Sequence, residues 1–209
     1  MRHSEYLLDK ITADSNIRSV SFTVDPSPLA FCEPEDTAEF HASRLLLLLR
    51  FCGSDLEEGH AIDGRTKLAK LDFLLRYPTY LKQALQKHGR EDLVFHLEER
   101  ETQSIEAKMI RYKYGPWDDR YYDIFAYLLA KNLVTIVPKG GVDHFVLTHE
   151  GEVAVEMLLQ DNAYGQMVHR CQVIRKAFGR LSGKGLRQLI YRYFPEIVRQ
   201  PFGSTIKGV

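Results

Sequence analysis

The chain lacks any apolar run long enough to cross a bilayer. Its longest leucine stretch is the five residues 45–49, closed on both sides by Arg44 and Arg50, against the roughly 20 residues a spanning helix needs. The opening residues Met1-Arg2-His3-Ser4-Glu5 lead into no secretory h-region, so neither membrane nor export is expected. Cysteine is scarce: Cys32, Cys52 and Cys171 are odd in number, far apart and never spaced Cys-x-x-Cys. That excludes a disulfide framework and a zinc knuckle and predicts three buried thiols in a reducing cytoplasm. Metal and nucleophile motifs are missing too. There is no His-Glu-x-x-His, and His144 and His149, five apart, read as surface or packing residues rather than a ligand pair. Without a Gly-x-Ser-x-Gly turn a hydrolase triad has no anchor. The run Gly179-Arg180-Leu181-Ser182-Gly183-Lys184-Gly185 resembles a phosphate loop but has three residues instead of four between its first glycines, follows a helix, and puts Gly185 where the magnesium-binding hydroxyl belongs. Neither a catalytic residue, a metal nor a cofactor is therefore expected. The carboxylates Asp55, Glu57, Glu58 and Asp63, like Glu98, Glu99 and Glu101, read as solvated loops.

Charge of one sign is also missing overall, with 28 Lys and Arg against 28 Asp and Glu in 209 residues, so the chain is not a generically basic nucleic-acid binder. The balance is local, however. Residues 1–161 hold 19 basic and 27 acidic side chains, whereas residues 162–209 hold 9 basic and 1 acidic. An acidic body thus precedes a basic end.

Residues 1–39 read as an arm, with Pro26, Pro28 and Pro34 and a possible strand at 17–24. The body is expected over residues 40–161. Residues 40–52 are apolar and free of Gly and Pro, predicting a buried helix ended by Gly53. Residues 54–64 read as a polar loop. Leu68, Leu71 and Leu75 put residues 65–76 on a helix, Pro78 breaks it, and a short helix follows at 79–88. Residues 105–114 fit strand and helix equally, and Gly115-Pro116-Trp117-Asp118 reads as a turn with Asp118 or Asp119 as cap. Tyr121, Ile124, Phe125, Leu128 and Leu129 complete an amphipathic stripe. Strands at 133–137 and 143–148 flank Pro138-Lys139-Gly140-Gly141, whose glycines permit a tight hairpin turn. Thr148 caps a helix at 150–160. Helices at 163–178 and 185–194 complete a mainly α chain with a small β-hairpin: a winged-helix domain with additional C-terminal helices. These helices, in residues 162–197, are expected to pack on the body, with residues 198–209 as a tail.

The basic helices carry the strongest binding signal. Residues 162–195 contain no Asp or Glu, while Arg170, Arg175, Lys176, Arg180, Lys184, Arg187 and Arg192 accumulate. Such a face can neutralise phosphates without reading sequence, dock an acidic protein surface, or simply be solvated. A reading helix of a DNA-binding winged helix would be residues 65–76, with Arg65, Lys67, Lys70 and Arg76. Its surroundings are acidic and the wing offers only Lys139, which weakens operator recognition.

Three stretches carry a family resemblance: Gly64-Arg65-Thr66-Lys67-Leu68-Ala69-Lys70-Leu71-Asp72-Phe73-Leu74-Leu75-Arg76-Tyr77-Pro78; Arg111-Tyr112-Lys113-Tyr114-Gly115-Pro116-Trp117-Asp118 with Tyr121 and Tyr122; and Leu186-Arg187-Gln188-Leu189-Ile190-Tyr191 leading to Phe194-Pro195-Glu196. Over about residues 40–197 the chain resembles the middle components of bacterial ABC-three-component systems, which include the Lamassu-type anti-phage and anti-plasmid defence operons. The resemblance implies a non-catalytic, cytoplasmic winged-helix adaptor between an SMC-like ABC ATPase and a separate effector, commonly a nuclease. Sequence-independent contact with double-stranded DNA fits that role. It transfers no catalytic residues. The alternative is a free-standing winged-helix transcriptional regulator.

Overall fold

A computed structural model describes residues 37–95 and 108–206. The arm, its possible strand at 17–24, Cys32 and the acidic residues 98–101 lie outside them.

Helix α1 (Ala38–Cys52) forms because Thr37 accepts the Phe40 amide at 3.2 Å and nothing inside the helix breaks it. Leu45, Leu46, Leu47, Leu48 and Leu49 are all buried. A helix apolar on every side belongs in the centre, and α1 is packed by four other helices. Gly53 ends it for reasons of space: a Cβ there would collide with the Leu49 carbonyl and meet the Ala61 amide at 2.9 Å.

Residues 54–64, expected as a polar loop, are instead a hairpin of β1 (Ser54–Leu56) and β2 (Gly59–Asp63). The reason lies across the sheet: β2 pairs with a strand more than 80 residues on, matching Ala61 with Val146 and Asp63 with His144. Helix α2 (Gly64–Arg76) follows directly, and Pro78 opens α3 (Pro78–Lys87). A second hairpin, β3 (Ile110–Tyr112) and β4 (Gly115–Trp117), replaces the turn expected at Gly115 to Asp118. Asp118 accepts from the Arg120 amide at 3.0 Å before α4 (Tyr121–Ala130) starts. Of the predicted stripe Tyr121, Ile124, Phe125 and Leu128 are buried, and Leu129 is exposed.

Strands β5 (Val134–Lys139) and β6 (Val142–Leu147) turn at Gly140 and Gly141, both with positive φ. They complete an antiparallel sheet in the order β1-β2-β6-β5. Thr148 accepts the Gly151 amide and caps α5 (His149–Gln160). Helices α6 (Gly165–Phe178), α7 (Gly183–Tyr193) and α8 (Pro195–Arg199) follow. Met167, Cys171, Ile174, Phe178, Leu186 and Ile190 place α6 and α7 in the same hydrophobic core as α1 and α2. Residues 198–206, expected within a tail, belong to the fold. The amide of Ile206 donates to the Met109 carbonyl and that of Arg111 to the Ser204 carbonyl, both at 2.8 Å, and Ile206 is buried. The chain is thus mainly helical with a small antiparallel sheet.

A buried charge network binds these layers. Asp72 on α2 accepts from Arg44 of α1 at 2.6 Å and from the Tyr121 hydroxyl at 2.7 Å, and lies 3.5 Å from Arg76. Arg76 in turn donates to Asp118 at 2.7 Å, and Asp118 also pairs with Arg120. Burial alone would raise the Asp72 pKa, but the Arg44 and Arg76 charges hold it below the usual carboxylate range. His41 stands between Arg44 and Arg120, at 2.9 and 2.8 Å. Burial and the two guanidinium charges lower its pKa to about 4, so the ring is neutral at physiological pH. Asp72→Asn leaves two arginines buried against a neutral amide, and the expected loss in a denaturant titration is about 3–5 kcal/mol. A change below ~1 kcal/mol would mean that the network contributes little to stability.

Candidate functional site

The seven cations singled out in the basic helices do not form one patch. Arg170 and Arg187 are half-buried; Arg175, Lys176, Arg180, Lys184 and Arg192 are exposed. Two of the arginines also serve the fold. Arg175 donates to the Gly53 carbonyl at 3.2 Å, at the end of α1, and Arg170 reaches the Leu75 carbonyl at 3.4 Å, in the last turn of α2. Cations are favoured at such carbonyl ends.

Five of the seven line three surface clefts. Arg175 and Arg180 border one of about 420 Å³, shared with Asp55, Asp63 and Lys67. Lys184 and Arg187 border a second of about 380 Å³ with Lys67, Tyr114 and Asp63. Arg192 borders a third of about 260 Å³ with His88 and Tyr193. The second is the more cationic of the two that share Lys67, because three cations there face the single carboxylate of Asp63. Its walls include the amino ends of α2 and α7, which come close enough that a Cβ on Gly183 would sit 3.1 Å from the Lys67 amide nitrogen. That close packing explains Gly183 in the loop resembling a phosphate loop, and the Arg175 carbonyl, 2.7 Å from where a Cβ would lie, explains Gly179. Ser182 is occupied as well, capping α7 through the Gly185 amide at 3.1 Å.

The candidate reading helix, residues 65–76, does not present its cations as a set. In α2, Lys67, Lys70 and Arg76 are only 4%, 1% and 1% exposed, and Arg65 alone among its cations faces solvent. The apolar stripe suggested one buried face, whereas residues 67–76 are buried all round. Arg76 is committed to Asp118 and Asp72. Lys70 donates to the Pro116 carbonyl at 2.8 Å, and burial, followed by the charges of Arg111 and Arg187, lowers its pKa to about 7.

His60 lies 3.0 Å from Glu152 and 3.3 Å from Asp55, so the acidic loop is tied into the sheet by a histidine between carboxylates. No three His, Cys, Asp or Glu side chains among the described residues form an arrangement that would hold a metal ion. Cys52 and Cys171 are buried and unpaired. Burial pushes the Cys52 thiol up to about 12, which leaves it without nucleophilic thiolate at neutral pH. No helix among the described residues is long and apolar enough to cross a membrane.

Arg111-Tyr112-Lys113-Tyr114 carries part of the family resemblance, and no site is expected there from the sequence. In the structure β3 and β4 display Tyr112 and Tyr114 to solvent, and Trp117 lies 6.0 Å from Tyr112 and 6.2 Å from the exposed Tyr122 of α4. The available signal was the alternation of cation and aromatic along residues 111–114.

No family model, curated protein or solved structure matches the chain.

The buried amine gives a pH test. A lysine whose pKa is depressed on folding binds its proton less tightly in the native state, so its contribution rises with pH between about 7 and 10.5. The stability difference between wild type and Lys70→Met is expected to shift in favour of wild type as pH is raised from 7 to 10. Parallel pH profiles of the two proteins in thermal unfolding would show instead that Lys70 titrates normally.

Proposed function

We propose that the chain is a non-catalytic winged-helix adaptor of a bacterial defence complex of the ABC-three-component, Lamassu type. It acts in the cytoplasm, bridging an SMC-like ABC ATPase and a separate effector such as a nuclease, and touches double-stranded DNA without reading its sequence. The observation that carries this reading is the sorting of its cations. Lys67, Lys70 and Arg76 of α2 are buried in the core, while Arg175, Lys176, Arg180, Lys184 and Arg192 face solvent on a segment without acids. Cations so placed neutralise phosphates, or an acidic partner surface, with no groove-reading element beside them.

The connectivity supports the winged-helix part. With α3 and the β3–β4 hairpin regarded as an insertion, the order is helix, two-stranded hairpin, helix, helix, strand, strand, and β2, the second strand of the first hairpin, pairs with β6 of the final one. The helix before that hairpin is then α4, whose exposed residues are Tyr122, Asp123, Ala126, Leu129 and Ala130. It contains neither Lys nor Arg. A specific reader needs side chains that reach base edges, and neither α2 nor α4 offers a cationic set. The rival reading, a free-standing transcriptional regulator, loses its support there.

Co-expression with the genes that flank its own is expected to give a stable complex with an ATPase on a sizing column; a monomer throughout would refute the adaptor. For the surface itself, Glu substitutions at Lys176, Arg180, Lys184 and Arg192 are expected to leave thermal unfolding within a few degrees of wild type. Duplex binding, or ATPase binding, should weaken at least tenfold. Where DNA is the partner, the slope of log affinity against log salt should fall by about 0.9 for each phosphate contact removed. Affinity that depends strongly on duplex sequence would favour the regulator.

A further inference from the structure

Duplex contact by the basic helices leaves the exposed aromatic strip on the neighbouring hairpin without a role. Tyr112 is 50% exposed and Tyr122 59% exposed, large values for rings that are normally buried or hydrogen-bonded. Trp117 lies between them, held edge-on against buried Tyr121 at 5.0 Å. Arg65 stands over the Tyr122 ring at 5.9 Å and closes the strip at one end. At the other end the hairpin turn holds Tyr114, with Lys113 over its ring and Arg187 of α7 over it as well, each at 5.4 Å. Arg187 also borders the cleft of about 380 Å³ with Lys184 and Lys67, a volume within the range of small-ligand sites. Flat rings in a row beside a cationic cleft are the two parts of a surface for unpaired nucleotides: bases stack on the rings and the backbone follows the charges.

We propose that Tyr112, Trp117 and Tyr122 stack the bases of single-stranded nucleic acid while Lys184 and Arg187 hold its phosphates. The orientation of the rings favours single strands over duplex. Successive rings, their centroids 6.0 and 6.2 Å apart, are inclined 34° and 58° to one another, so bases lying on them cannot keep the parallel stack of a duplex and each ring takes a base already separated from its neighbour. The charges agree in direction. Asp119 and Asp123 adjoin Tyr122 in the chain, whereas the cations Lys113, Lys184 and Arg187 gather at the hairpin turn, so the backbone runs on that side. The inference rests on the nucleic-acid contact in the proposed function and narrows it to exposed, unpaired ends or gaps.

Trp117 is the single tryptophan of the chain and lies in the strip, so its fluorescence reports stacking directly. The full chain is titrated with a 20-nucleotide single-stranded DNA, an RNA of the same sequence and the matching blunt duplex, by tryptophan quenching and by anisotropy of an end label. Expected is quenching by the single strands only, with affinity about tenfold or more above that for the duplex; tighter RNA binding would name RNA as the ligand. Tyr112→Ala with Tyr122→Ala should lower single-strand affinity about tenfold or more and leave duplex affinity unchanged. Tyr112→Phe with Tyr122→Phe, which keeps the rings, should restore it, and equal melting temperatures exclude misfolding. Equal affinity for single strand and duplex, or an alanine pair that binds single strands as wild type does, overturns the proposal while leaving the adaptor reading intact. An alanine pair that loses the ATPase complex, in a protein that binds no single strand, makes the strip a protein contact and also overturns it. Single-strand binding by a chain that forms no ATPase complex sinks the adaptor reading instead.

Discussion

Everything in the described fold is organised around a carboxylate with no access to water. Asp72 accepts from Arg44 and Tyr121 and neighbours Arg76, so α1, α2 and α4 meet at one point. A buried carboxylate is tolerated only where cations and donors surround it, and this one brings its partners from three helices. The cations in turn require Asp118 and, through Arg120, the neutral ring of His41. Three arginines face two aspartates, and the surplus charge is carried by Arg120, whose side chain is the partly exposed member. Moving any of these helices would strand a charge.

That constraint decides what the surface can do. A helix whose Asp72 must be buried cannot offer Lys70 and Arg76 to DNA, because they lie on the same short segment and are drawn in with it. Lys70 meets the Pro116 carbonyl and thereby seats the β3–β4 hairpin on α2. The hairpin then presents Tyr112 and Tyr114 outward beside α7. The charge network thus fixes α2 against α1 and α4, while the aromatic strip follows from the close approach of α2 to α7 and β4.

Legibility followed the range of the interactions. The leucine run of α1, the stripe on α4 apart from Leu129, the Gly140-Gly141 turn and the Thr148 cap all depend on contacts within a few residues, and each stands where the local pattern puts it. The β1–β2 hairpin has the sequence of a loop because its strands are short and polar; Ala61 and Ile62 become core residues only through β6. Gly115 to Trp117 resembled a turn because Gly and Pro dominate it, yet the backbone pairs with residues 110–112. The basic segment was visible as composition, though not its partition among three clefts or the use of Arg170 and Arg175 to cover carbonyls.

The sequence by itself determined that the chain is mainly helical, that its leucine-rich helix is central, and that residues 162–195 are acid-free and cationic, since hydrophobic period, turn chemistry and charge density are local properties. Only the tertiary structure decided which cations are ligands of the core and which face solvent. Whether a lysine or arginine can be buried depends on the carboxylate or carbonyl that meets it, and those partners lie 28, 42 and 46 residues away for Arg44, Arg76 and Lys70. No pattern within a helix carries that information.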